Sequence, residues 1–297
     1  MLASDPAAPT IGVDAGGSGC RARLRGRRWG VQCARPANLQ LGAKAVAAII
    51  DVALAAADDA ALSDDERRGA RVVVAAAGDT PAGREALRAA RHPFAELSVL
   101  SDVHAAALGA HGGGDGGFVV LGTGAAACLL RRGAPAFLGG WGLAVDDIGS
   151  GADIGRCAVR AALRAFDGDV SEGPLTEAVR RRLGATTAAI VEWAGAALPA
   201  DFADLAPEVF IADAAGDPVA TAILGDAVSA LCRLVALLRS RGASRVSVGG
   251  SIGVRLAARA GAPTALAPAL ADPIDGAFIA ADRGLATSVR DIAPGLR

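Results

Sequence analysis

The chain has 297 residues, room for two domains of ordinary size at roughly 100–200 residues each. Charged residues make up 21% and the formal net charge is −1, which excludes the strongly basic face that phosphate-directed nucleic-acid binding requires. Hydrophobic residues reach 52% but aromatics only 3%, so the apolar mass is small and aliphatic, suited to closely packed helix–sheet layers.

The apolar run 10–14, the glycine turn Gly16-Gly17 and the runs 20–25 and 29–33 predict three strands joined by tight turns. Helical spacing predicts a helix over 42–61, and the β-branched run 71–77 a buried parallel strand. A helix over 81–91, a strand over 97–100 and a helix over 103–110 follow, and a glycine-rich hinge at 112–117 closes this half. The second half repeats the opening of the first: strand 118–121, the turn Gly122-Thr123-Gly124, strand 125–130 and strand 136–138, with no helix between. Helices are then predicted over 152–166, 174–183, 188–197, 205–214 and 218–240, a strand over 245–248 running into Gly249-Gly250-Ser251, and a last helix over 275–283.

Cys20, Cys33, Cys128, Cys157 and Cys232 are odd in number and contain no C-x-x-C pair, which argues against a disulfide framework or a zinc site and for a reducing cytoplasm. Residues 1–10 lack the pattern of a secretory leader, and Asp226 and Arg233 interrupt the longest apolar stretch, 222–238, so neither secretion nor membrane spanning is expected.

Two glycine turns carry the chemistry. Glycines at 16, 17 and 19 let backbone N–H groups approach an anion that a Cβ would block. The turn is neither a Walker A loop, lacking the Lys-Ser/Thr, nor a dinucleotide fingerprint, since a strand follows it. An ordinary hairpin turn is the plainer alternative. Asp14 ends the first strand, where a carboxylate can hold Mg²⁺ through water or simply start an Asx turn. Asp102 stands where a strand ends and a helix begins, the place where open α/β sheets bind ligands, although an N-cap would occupy the same position.

Together the segments Ile11-Gly12-Val13-Asp14-Ala15-Gly16-Gly17-Ser18, Pro36-Ala37-Asn38, Ser101-Asp102, Leu121-Gly122-Thr123-Gly124, Gly139-Gly140-Trp141-Gly142, Asp147-Ile148-Gly149-Ser150-Gly151 and Gly249-Gly250-Ser251 carry a specific pattern. In order and spacing it resembles the bacterial glucosamine/N-acetylglucosamine kinases of the BadF/BadG/BcrA/BcrD ATPase group, within the actin–hexokinase–Hsp70 superfamily. The resemblance spans about residues 10–283.

It implies an α/β chain with two ribonuclease-H-like, actin-like ATPase domains around a central cleft: 1–111, completed by the C-terminal helix 275–297, and 112–274. It also implies ATP and Mg²⁺ as cofactors and phosphorylation of an amino-sugar 6-hydroxyl. Asp14 falls at the family's magnesium and phosphate position, with Gly16, Gly17 and Ser18 on the first phosphate turn and Thr123 and Gly124 on the second. Asp102 matches the catalytic base. Asn38 and Asp147 match sugar-binding positions, Gly122 and Trp141 are further substrate candidates, and Gly249, Gly250 and Ser251 match the adenosine segment. Trp141 could equally anchor its loop, and Asn38, Asp147 and Ser251 could be turn, loop and cap residues.

Departures from the family pattern are Ala125 for a serine in the second turn, Ile148 for an acid in the sugar loop, and Ser18 for a threonine. Branch-like stretches such as 18–23 and 37–42 favour glucosamine slightly over N-acetylglucosamine. The expected partners are the amino sugar and ATP, with neither nucleic acid nor a membrane, and a homodimer is allowed. The alternatives are a catalytically weak sugar- or nucleotide-binding regulator, and an ATPase activator of a radical dehydratase, whose cluster-bridging cysteine motif is absent around Cys128 and Cys157.

Overall fold

The computed structural model describes residues 8–17, 19–78, 80–261 and 265–291. They divide into two compact units, each with its own sheet and its own apolar core. The first runs to Gly116 and adds Leu130–Pro135 and the chain from Pro268; the second is Gly117–Leu129 and Ala136–Ala267.

In the first unit the strands are β1 (Thr10–Ala15), β2 (Cys20–Leu24), β3 (Val31–Cys33), β4 (Arg71–Ala76), β5 (Glu96–Ser101) and β10 (Thr287–Ser288), in the sheet order β10-β5-β4-β1-β2-β3. β1, β4 and β5 are parallel, and β2 and β3 extend the sheet antiparallel. Their register aligns Ala15 with Ala76 and Ala76 with Ser101. The carboxyl ends of three strands therefore lie level, with Asp14 and Asp102 at that edge.

Strand alternation sends Ile11, Val13 and Ala15 into a core shared with α1 (Ala43–Asp59). Gly12 faces the other way, toward α12 (Pro273–Asp282), and a Cβ there would stand 2.7 Å from Ile274 Cγ2. α12 packs on α4 (Asp102–Ala110) through two more glycines. A Cβ on Gly276 would reach within 1.8 Å of Ala105 O, and one on Gly109 within 2.1 Å of Asp272 O. Close backbone approach lets the distant α12 complete the unit, and Arg23–Asp275 (2.6 Å) and Arg25–Asp282 (2.7 Å) tie it to β2 and the turn that follows.

In the second unit β6 (Gly116–Leu121), β7 (Ala125–Arg131), β8 (Ala134–Gly139) and β9 (Val246–Gly249) form a sheet in the order β8-β7-β6-β9. This repeats β3-β2-β1-β4 of the first unit, so the expected internal repeat is present in the topology. Its core lies under α5 (Gly151–Phe166), α6 (Pro174–Leu183), α7 (Thr187–Ala196), α9 (Ala206–Ala214) and α10 (Pro218–Ser240). By length and composition α10 could cross a membrane, but it packs along α5, α9 and α11 (Ser251–Ala260) and buries Leu224, Leu231 and Leu238.

The structure adds elements that periodicity did not predict. The short helix α2 (Asp64–Gly69) is polar all round and rests on a capping box between Ser63 and Glu66. α3 (Pro81–Ala89) ends two residues short of its predicted limit, α8 (Pro199–Ala203) starts on a proline, and Leu39–Leu41 make one 3₁₀ turn. The expected hinge is partly strand, since β6 begins at Gly116.

Candidate active site

In the first unit, Asp14 sits one residue before the end of β1, where its register partner across the hairpin is Arg21. Arg21 Nε donates to Asp14 Oδ2 at 3.0 Å, and Arg21 Nη1 lies 3.8 Å from Asp272 Oδ2. Burial raises the Asp14 pKa, Arg21 opposes that, and the Asp272 charge adds to it. The Asp14 side chain keeps some exposure at 21%, on an open depression of about 630 Å³ that Gly16, Gly19 and Arg21 also line. In the turn itself Gly16 N–H donates to Gly19 O at 2.9 Å. Gly17 lies beside Gly16, while Ser18 falls outside the described residues.

Asp102 is the first residue of α4, and Ser101 is the cap residue, so Asp102 is not itself the N-cap. Its Oδ1 accepts the Val103 N–H at 2.8 Å. Burial pushes its pKa up to about 6, the Val103 N–H holds it back, and the nearby Asp14 carboxylate adds to the rise. A carboxyl poised there is charged at neutral pH yet basic enough to accept a proton.

Asn38 Oδ1 accepts the Gln40 N–H at 2.9 Å and caps the 3₁₀ turn, so the turn role weighed for Asn38 is real. The side chain also lies against Gly78, whose φ is +66° and where a Cβ would come within 1.9 Å of Asn38 Oδ1. Ala37 N–H donates to Gly16 O at 3.0 Å, which joins this segment to the first glycine turn.

In the second unit the predicted segments converge. Gly122 N–H donates to Gly124 O at 3.0 Å, closing the turn. The carbonyls of Gly122 and Thr123 accept the N–H groups of Gly151 and Ala152, at 2.7 and 3.1 Å, so the turn rests on the first residues of α5. Ser150 caps that helix through Asp153 N–H. Asp153 in turn accepts the Gly149 N–H at 3.0 Å and Arg156 Nη2 at 2.9 Å.

Asp147 is only 6% exposed and holds a left-handed φ of +61°. Its Oδ1 accepts the Ala125 N–H at 3.0 Å, which ties the 147–151 loop to the second glycine turn. Burial raises its pKa, the Ala125 N–H opposes this, and Asp146 and Asp153 push it further up.

Gly250 has a φ of +81°, and a Cβ there would collide with Leu121 O at 2.2 Å. The Gly249-Gly250 turn is thus seated on the β6 end. Gly250, not Ser251, is the α11 cap residue, and it has no side-chain oxygen to accept from the first backbone N–H groups of α11. Trp141 is 76% exposed and does not serve as a buried loop anchor. Arg21, Gly78 and Asp153 were not singled out from the sequence. Only Asp153 left a local signal there, the Ser150-x-x-Asp153 spacing of a helix start.

Among the described residues no group of three or more His, Cys, Asp or Glu side chains could cage a metal. A lone strand-end carboxylate with one oxygen not engaged by Arg21 does fit Mg²⁺ carried in on a nucleotide, which takes one or two carboxylates beside phosphate oxygens.

A model of the BadF/BadG/BcrA/BcrD ATPase family matches residues 11–260. The chain belongs to that family. Glucosamine kinase GspK of Vibrio cholerae is 32% identical to it over 251 residues, 83% of this chain and 85% of the relative. A crystal structure from Chromobacterium violaceum, assigned only provisionally as an N-acetylglucosamine kinase, superposes with a TM-score of 0.83 at 31% identity, covering 92% of this chain and 98% of that one. A ROK-family glucokinase from Streptomyces griseus, solved with glucose and AMPPNP, has a TM-score of 0.57 at 19% identity over 93% of this chain and 100% of its own. That likeness is one of fold, and the fold of this BadF/BadG/BcrA/BcrD family member is the two-domain actin-like ATPase fold of the sugar kinases.

Proposed function

We propose that the chain is an ATP-dependent kinase that phosphorylates the 6-hydroxyl of an amino sugar, glucosamine ahead of N-acetylglucosamine. The observation that carries this reading is the pair of carboxylates at one sheet edge, Asp14 ending β1 and Asp102 following β5, with the Asp102 pKa lifted to about 6. In the reaction Asp102 accepts the hydroxyl proton as the 6-oxygen attacks the γ-phosphorus, and ADP leaves with the former bridging oxygen. Asp14 would hold the divalent cation, and Arg21 positions the carboxylate for that task. Mg²⁺ supplies neutralisation of the charge that spreads over the phosphoryl oxygens.

Gly16 and Gly17 line the first phosphate turn, and the Thr123 and Gly124 N–H groups of the second are offered to phosphate oxygens. Gly249, Gly250 and Ser251 receive the adenosine. Asn38, Asp147 and Trp141 contact the sugar, Trp141 through its exposed ring face. The resemblance of stretches 18–23 and 37–42 to the glucosamine branch supports glucosamine, and the 32% identity to a glucosamine kinase agrees with it. Free cysteines and an ATP requirement support a cytoplasmic setting.

Phosphorus NMR of the product formed from Mg-ATP and glucosamine tests the reading. A sugar 6-phosphate ester is expected. ADP and inorganic phosphate alone would instead mark an ATPase without an acceptor.

A further inference from the structure

Cys20, the first residue of β2, lies directly opposite Cys33, the last residue of β3. Opposed residues on antiparallel strands have Cα atoms about 4.5–5.5 Å apart, inside the window of about 4.4–6.8 Å that a disulfide needs. Both thiols are free, and their surroundings differ. Cys33 is partly exposed, and its Sγ accepts Arg35 Nε at 3.2 Å and the Arg35 N–H at 3.4 Å. Arg35 is itself held by Asp51 at 2.8 Å. Cys20 is 4% exposed and donates to Ala48 O at 3.6 Å.

We propose that Cys20 and Cys33 are a peroxide-oxidised thiol pair, a modification site at the base of the first glycine turn whose disulfide weakens nucleotide binding there. Hydrogen bonds from Arg35 hold the Cys33 thiol below its ordinary range, while burial pushes Cys20 up to about 11. That asymmetry suits an attacking thiolate and a resolving thiol. The Cys33 thiolate attacks a hydroperoxide oxygen, the O–O bond breaks, an alcohol or water leaves after taking a proton, and Cys33 becomes the sulfenic acid. Cys20 sulfur then attacks Cys33 sulfur, its proton leaves with the sulfenic hydroxyl as water, and the disulfide forms. Two thiols are oxidised by two electrons and one hydroperoxide is reduced.

The coupling to the turn is direct. A Cβ on Gly19 would lie 2.7 Å from Cys33 O, so the turn is packed on the Cys33 backbone, and Ala37 N–H holds Gly16 O from the same segment. Turning Cys33 Sγ from Arg35 onto Cys20 gives up the two Arg35 hydrogen bonds that steady this segment, and with them the packing under the turn. The cross-link stands independently of the proposed kinase reaction, and only its consequence for the nucleotide rests on that reading.

The test treats the whole protein with hydrogen peroxide and maps tryptic peptides without reduction, since cleavage after Arg21 and Arg28 separates the two cysteines. A Cys20–Cys33 linked pair is expected, formed before Cys157 or Cys232 reacts and reversed by dithiothreitol. Arg35→Gln is expected to slow its formation several-fold, and Cys33→Ser to abolish it. Oxidation is expected to weaken binding of trinitrophenyl-ATP several-fold, reversibly, in the wild type and not in Cys33→Ser. No linked pair at peroxide levels that oxidise Cys157 or Cys232 would overturn the site. A linked pair with unchanged probe affinity would overturn its effect on the turn. Reduced protein that binds the probe but phosphorylates no sugar would count against the kinase reading alone.

Discussion

The Asp147 carboxylate accepts the Ala125 N–H at 3.0 Å from a left-handed backbone, so one residue of the 147–151 loop fixes the second glycine turn. Asp147→Ala leaves that N–H without its partner in a buried place and puts alanine at φ +61°. A loss of about 1–3 kcal/mol is expected from the orphaned donor, read as a lower Tm. Asp147→Asn keeps an acceptor oxygen and a side chain tolerant of that backbone. It should unfold near the wild-type temperature while raising KM for the sugar, which a thermal melt and a kinetic titration separate.

Asp102 gives a pH prediction with a definite sign. Its folded pKa of about 6 exceeds the ordinary 3.8, so the folded state binds more protons between those values. Its contribution to stability is present below the unfolded pKa and is lost as pH rises through about 6. Asp102→Asn, which keeps an oxygen for Val103 N–H, should therefore melt no lower than wild type at pH 7.5. As a base Asp102 must be ionised, so kcat/KM of the wild type should fall on acidification below about pH 6. A profile flat down to pH 5 would remove Asp102 from the rate.

Two of the three departures, Ala125 and Ile148, lend themselves to reversion. Ala125→Ser returns a hydroxyl to the second turn without touching the backbone N–H that Asp147 holds, and a few-fold lower KM for ATP is expected. Ile148 is 47% exposed, so Ile148→Glu costs little packing. Steady-state kinetics should show the preference move toward cationic glucosamine and away from N-acetylglucosamine.

Two glycines should respond oppositely to alanine. Gly276→Ala drives a methyl to within 1.8 Å of Ala105 O, backbone that cannot step aside, and overpacking of this kind costs about 1–3 kcal/mol or more. Gly225 lies exposed on α10 with open space around its Cβ position, so Gly225→Ala should gain about 0.5–1 kcal/mol. Melting curves of the two variants check the α4–α12 contact.

Much of this was legible in the chain because the signals are local. Both glycine turns, the strands around them and the position of Asp102 at a strand end can be read from short stretches. What could not be read depends on register or on distant approach. The Asp147 bond to Ala125 spans 22 residues. Gly78 behind Asn38 and Gly12 beneath Phe278 are set by packing that no periodicity encodes. The cysteine spacing argued against a zinc site, yet it hid that Cys20 and Cys33 face each other, because strand register and not sequence distance brings them together. Gly250 replaced Ser251 as cap because the turn needs positive φ beside Leu121 O, a demand visible only in three dimensions.

The most direct test follows ADP release from Mg-ATP with glucosamine, N-acetylglucosamine, N-acetylmannosamine and glucose, in wild type and Asp102→Asn side by side. Fast turnover with an amino sugar, glucosamine first, is expected, with a fall in kcat of about 10²–10⁴ in the folded variant. Near-normal turnover by Asp102→Asn, or no sugar-dependent ADP from a wild type that binds nucleotide, would contradict it.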